Sequence, residues 1–123
     1  MLIARRVLLV LSWLFVLGVV VQFFLAGLGT LGGESMDAHE ALGYMVLHFF
    51  PVIMLVVAFF ARVPRTVLVL TLVLAVVTFV QPIWVTEFRG EFLGAMHILG
   101  AAIILALGYA VASSMTRFVR SEA

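Results

Sequence analysis

Four long stretches without a charged residue run through the chain, at 7–33, 41–61, 66–86 and 92–116. Each is at least 21 residues long, and about 20 residues of helix cross the hydrocarbon core of a bilayer. Only helices and closed barrels satisfy their backbone groups in lipid. The runs are too long and too uniformly apolar for barrel strands. The pattern predicts an all-α integral membrane four-helix bundle, one transmembrane domain over 1–123, with helices at about 7–28, 36–61, 65–86 and 91–117. Its connections are short. Pro64 suits the first turn of the third helix, and Ser35 ends a glycine-rich loop as a candidate N-cap for the second. Short connections make neighbours antiparallel, so the bundle reads up-down-up-down. Pro51 and Pro82 fall inside the second and third helices and are expected to bend them.

The charges then orient the bundle. Arg5, Arg6, Arg62, Arg65, Arg117 and Arg120 fall on the side of the termini, and Arg89 alone falls on the other, with Glu34, Asp37, Glu40, Glu87 and Glu91. Arginine is retained on the cytoplasmic side, so both termini are expected in the cytoplasm, in the inner membrane of a bacterial cell. The first apolar run exceeds a signal-peptide core of about 7–15 residues and reads as a retained helix. With 66% hydrophobic residues and 11% charged, a small soluble globule is excluded, since it would leave too much apolar surface wet. A net charge of +1 and no basic patch exclude a nucleic-acid partner. The absence of cysteine excludes disulfides, thiolate metal sites and cysteine nucleophiles.

The two hairpins read as copies. Arg6 and Arg65 are 59 positions apart, as are Gln22 and Gln81; His39 and His97 are 58 apart, as are Arg62 and Arg120. Gly43 and Ala101 match four residues after each histidine, while His48 corresponds to Ala106 and has no polar counterpart. Both copies begin on the same side, which puts the pseudo-twofold along the membrane normal.

Polar residues inside an apolar span carry the functional information. Measured from the cytoplasmic arginines, His39 and His97 are nearly level near the outer face. His48 lies about 13 Å deeper, level with Gln22 and Gln81 and, on a regular helix, about 180° around from His39. Two level histidines on the second and fourth helices suit axial ligation of haem iron. On this reading His39 and His97 are the metal ligands of a haem b, and Gly43, Gly94, Gly100 and Ala101 leave room for the flat plate. Arg89 is the candidate cation for the propionates. His48 is a haem neighbour or substitute ligand, or bonds within the glutamine layer. The alternatives for the histidine pair are bonding to backbone or water, another metal, or a proton path. Gln22 and Gln81 read as bonds between helices, with a quinone or proton site as the sharper alternative. No residue reads as catalytic, so an electron carrier fits better than an enzyme.

The segments Gln22-Phe23-Phe24-Leu25-Ala26-Gly27, His39-Glu40-Ala41-Leu42-Gly43-Tyr44, Gln81-Pro82 and Met96-His97-Ile98-Leu99-Gly100 resemble a family of small four-helix prokaryotic membrane proteins of unknown function. That resemblance covers nearly the whole chain and implies the fold. The positions of His39, with a glycine four later, and His97 are also similar to those in the haem-binding four-helix halves of haem A synthase. There, histidines on the second and fourth helices hold haem. Glu40 stands where that family usually has arginine, and Glu34 and Asp37 have different spacings from its glutamate pattern. Haem binding is implied and haem hydroxylation is not.

Ala102, Ala106, Ala110 and Ser114 form a ladder of small residues four apart, which favours close helix packing inside the bundle or in a dimer. A second reading follows: a non-catalytic membrane subunit, or an assembly protein of a larger complex, without cofactor. The partners expected are the lipid bilayer, a homodimer or larger membrane complex, and a redox partner of unknown identity.

Overall fold

The computed structural model describes residues 1–121. It is helical throughout its ordered segments: α1 (Leu2–Leu31), α2 (Asp37–Ala41), α3 (Phe50–Ala61), α4 (Arg65–Thr86) and α5 (Met96–Arg120). A π-helical stretch, Leu42–Leu47, joins α2 to α3, and a 3₁₀ turn, Phe92–Ala95, leads into α5. Four spans are therefore long and apolar enough to cross a membrane: Leu2–Leu31, Asp37–Ala61, Arg65–Thr86 and Phe92–Arg120. The first begins at Leu2 rather than near residue 7, because nothing before the arginines breaks the helix.

Each span packs on its sequence neighbours, and the first also packs on the last: α1 against α3 and α5, α4 against α3 and α5. Contacts fix the directions. Arg5 Nε, at the start of α1, donates to the carbonyl of Ala61 at the end of α3 (3.1 Å) and lies over the Phe118 ring near the end of α5 (4.9 Å). Trp13 Nε1 donates to Thr116 Oγ1 at 3.1 Å. Neighbouring spans are thus antiparallel, and the second and fourth face each other across a diagonal.

The core is a stack of small and large apolar residues: Leu8, Phe15, Met54, Leu74, Val111 and Met115 are fully sealed. Its interlock depends on one glycine. A Cβ at Gly108 would stand 3.1 Å from the Phe15 ring, so the absence of a side chain there lets α1 and α5 approach closely.

The duplication is visible in three dimensions and extends beyond the sequence markers. Ser12 and Thr71, 59 positions apart, are both buried and both donate to the carbonyl four residues back, Leu8 at 2.7 Å and Val67 at 2.8 Å. In the second and fourth spans the buried faces match at 57 positions: Leu47 with Ile104, Pro51 with Gly108, Met54 with Val111, Ala58 with Met115. His39 and His97 match at 58. The second span thus carries one more residue than the fourth between its histidine and its core face. The π-helical stretch, with its wider turns, absorbs that residue.

This changes three sequence expectations. Gly43 corresponds to Gly100, not Ala101, and His48 to Leu105, not Ala106. The half-turn between His39 and His48 assumed a regular helix that the π stretch interrupts. Pro51 lies within the second span but in the first turn of α3, directly after the turn residues His48 and Phe49, where a missing N–H is tolerated. Pro82 does lie inside α4. The small-residue ladder also turns away from the core: Ala102 and Ala106 are exposed, and Gly100, Ile104, Gly108 and Val111 form the inner face of α5.

Candidate functional site

His39 opens the second span and His97 the fourth. The diagonal arrangement brings their rings together, with centroids 6.2 Å apart and planes at 73°. Both are half-buried.

Each ring is held by the preceding span in the same way. His39 Nδ1 donates to the backbone carbonyl of Gln22 at 3.1 Å, and Gln22 Nε2 donates to the backbone carbonyl of His39 at 2.7 Å. In the other hairpin, His97 Nδ1 donates to the carbonyl of Gln81 at 3.3 Å, and Gln81 Nε2 to the carbonyl of His97 at 3.2 Å. These are two reciprocal clamps related by the duplication. A carbonyl can only accept, so both neutral rings carry their proton on Nδ1. That leaves each Nε2 with its lone pair free, and no hydrogen bond engages either Nε2 among the described residues. Fixing the far nitrogen on a carbonyl is the usual way a metal-ligating imidazole is oriented.

The glycines serve the clamps. A Cβ at Gly43 would meet Gln22 Nε2 at 2.8 Å, and one at Gly100 would meet Gln81 Oε1 at 2.6 Å. The gaps that sequence reasoning kept for a flat plate are thus filled by glutamine amides. Each amide spends its nitrogen on a histidine carbonyl and retains a buried oxygen with no partner, Gln22 Oε1 and Gln81 Oε1, and Thr78 Oγ1 one turn below Gln81 is also unpartnered. Buried acceptors without a donor are rare in folded chains.

The remaining candidates are dispersed. Gly94 belongs to the 3₁₀ turn, where a Cβ would collide with the carbonyl of Phe88 at 2.5 Å. Arg89 is exposed in the turn between α4 and α5, and Ala101 is half-buried one residue past Gly100. His48 is separate from the pair, with its ring against Phe79 (centroids 4.5 Å, planes 32°) and Phe49 (5.0 Å, 88°). Among the described residues no group of three or more His, Cys, Asp or Glu side chains comes together. The donor set of the site is therefore two imidazoles. Two imidazoles alone would not complete the coordination of a metal ion, so any metal held here would bring its other ligands with it. A metal ion held by both Nε2 atoms at about 2 Å each, with ~1 Å more to each ring centre, would place the two centroids roughly 6 Å apart, close to the 6.2 Å between His39 and His97.

Taken along the chain, the glutamines are expected to bond between helices, and no particular histidine is assigned to either. The signal was available, since both pairs keep nearly the same spacing, 17 residues from Gln22 to His39 and 16 from Gln81 to His97.

No curated protein and no solved structure matches the chain. A family model does match, over residues 22–87, from the first clamp glutamine through the second, and it is described as a family of unknown function (DUF6220). With more than half its length inside that match, and with four apolar spans built around it, this small multi-pass membrane protein belongs to the DUF6220 family.

Proposed function

We propose that the chain is a b-type haem protein of the electron-transfer kind, with His39 Nε2 and His97 Nε2 as the axial ligands. The observation that carries this reading is the pair of clamps: two rings 6.2 Å apart, each with Nδ1 tied to a backbone carbonyl. The similarity in histidine position to haem A synthase points the same way, by analogy only. Gln22 and Gln81 act as positioning residues, setting the tautomer and angle of each ring. Arg89 would offer a cation to the propionates. A haem held by two imidazoles has no open position on iron, so the chemistry it supplies is one-electron transfer.

The sidedness belongs to the same proposal. Six arginines at the end that holds both termini, against Arg89 at the histidine end, favour a cytoplasmic location for the termini. In a bacterial cell this puts the histidine pair near the outer face of the inner membrane.

The test is an absorption spectrum of the chain purified after expression with haem available. A Soret band that sharpens and shifts on reduction is expected, and it should be lost or become high-spin in both His39→Ala and His97→Ala. No band, or a band untouched by both substitutions, refutes the proposal. The exposed faces of Ala102 and Ala106 favour a second reading, a cofactor-free subunit packed through α5 in a larger complex. Co-purification of a stoichiometric membrane partner in the absence of a Soret band would favour it.

A further inference from the structure

His48 is the one histidine outside the clamps, and its surroundings are unusual for so polar a group. It lies 11 residues beyond Asp37 and 14 short of Arg62. At about 1.5 Å per residue and a core about 30 Å thick, that is close to the bilayer middle. Its ring makes no hydrogen bond among the described residues. Neither ring nitrogen is among the atoms sealed inside the bundle, and the residue is half-exposed at the surface. An imidazole N–H facing hydrocarbon with no partner is costly, and intramembrane ionisable groups are kept for function. Ester carbonyls of the lipids lie about 15 Å away at the interface and cannot supply the bond.

What surrounds the ring narrows the partner. Phe79 covers one face and Phe49 stands edge-on, both more than half exposed to the same lipid. Two turns toward the arginine end, the seam between α3 and α4 opens into a wholly apolar groove of about 480 Å³, lined by Leu55, Val56, Phe59, Leu68, Val69 and Leu72. Leu55 is seven residues after His48, and Leu72 seven before Phe79. A hydrogen-bonding edge walled by aromatic rings thus stands on the same helix pair as an apolar groove that begins two turns nearer the arginine end.

We infer that His48, Phe49 and Phe79 form a binding site for the head of a lipid-soluble quinone, whose apolar tail lies in the α3–α4 seam. The imidazole N–H donates to a quinone carbonyl, the unprotonated nitrogen can accept from a quinol hydroxyl, and the phenyl rings flank the flat head. This site does not depend on the haem reading. Where both hold, the quinone is the class of redox partner.

The test uses the full chain in lipid nanodiscs with ¹⁵N-labelled histidine, titrated with a benzoquinone carrying a decyl tail. The expected result is a saturable shift of the His48 ring resonances, assigned by their loss in His48→Leu. Photolabelling by an azido derivative of the same quinone should fall at least tenfold in His48→Leu and markedly in Phe79→Ala. Both responses should persist in the His39→Ala/His97→Ala double variant, which separates this site from the haem proposal. Three outcomes overturn the inference: His48 resonances that do not move, an equal shift with decylbenzene, which has no carbonyl, or a shift that follows the protein-to-lipid ratio instead of quinone. The last would assign the surface to a second copy of the chain.

Discussion

Gly100→Ala is the sharpest probe of the clamp geometry. The added Cβ would lie 2.6 Å from Gln81 Oε1 and 2.9 Å from both Cδ and Nε2 of the same side chain. The whole amide therefore has to move, and it has little freedom, because Gln81 is buried to 8% exposure and tied to the His97 carbonyl. Overpacking a tight site costs about 1–3 kcal/mol. The interhelical hydrogen bond it breaks contributes roughly 0.6–1.7 kcal/mol in a membrane. Alanine returns about 1 kcal/mol through helix propensity. The net expectation is a loss of roughly 1–4 kcal/mol, read from reversible unfolding in mixed micelles by circular dichroism. Gly27→Ala is the internal control, since no heavy atom lies within 4 Å of an added Cβ there; it should stabilise by up to ~1 kcal/mol. Gln81→Ala added to Gly100→Ala should recover the overpacking part, giving a coupling energy of about 1 kcal/mol or more. If Gly100→Ala unfolds like Gly27→Ala, the amide does not occupy the space over Gly100, and the clamp argument fails.

Two further perturbations test the duplication. Ser12→Ala and Thr71→Val, which remove the two hydroxyls without deleting the Thr71 methyl, should each change stability by less than ~1 kcal/mol and by similar amounts, because each hydroxyl serves a carbonyl already bonded within its own helix. Unequal losses above that size in the same melts would break the equivalence of the halves. Deleting Ala41, the exposed residue just before the π-helical stretch, should be tolerated, since it leaves three residues from His39 to Gly43, as from His97 to Gly100 in the fourth span. Deleting Val73 from regular α4 should rotate everything beyond it by about 100° and prevent folding. Comparable damage from both, by melting and size-exclusion chromatography, would refute the π-helix argument.

Much of the architecture was legible from the chain. Apolar runs of membrane-crossing length, separated by turns too short for anything but antiparallel neighbours, fix an all-helical bundle through backbone hydrogen bonding in lipid alone. The helix ends were less legible, because Leu2 and Ile3 carry no boundary signal before Arg5. Histidine depth was legible too, since rise per residue converts sequence distance into height. Angular position was not, because it accumulates over every turn, and one residue absorbed in Leu42–Leu47 shifts all that follows. That single residue is why Gly43 pairs with Gly100 and not Ala101.

Membrane class, number of spans, the duplication and the common depth of the two histidines follow from the chain alone. All of these depend on composition and on distances along one helix. Tertiary structure decided what each polar group touches: that Gln22 and Gln81 grip the histidines from behind, that Gly43 and Gly100 make room for amides, and that His48 turns to Phe79 and the lipid. Those contacts join different helices, and their geometry depends on crossing and rotation, which local periodicity does not encode.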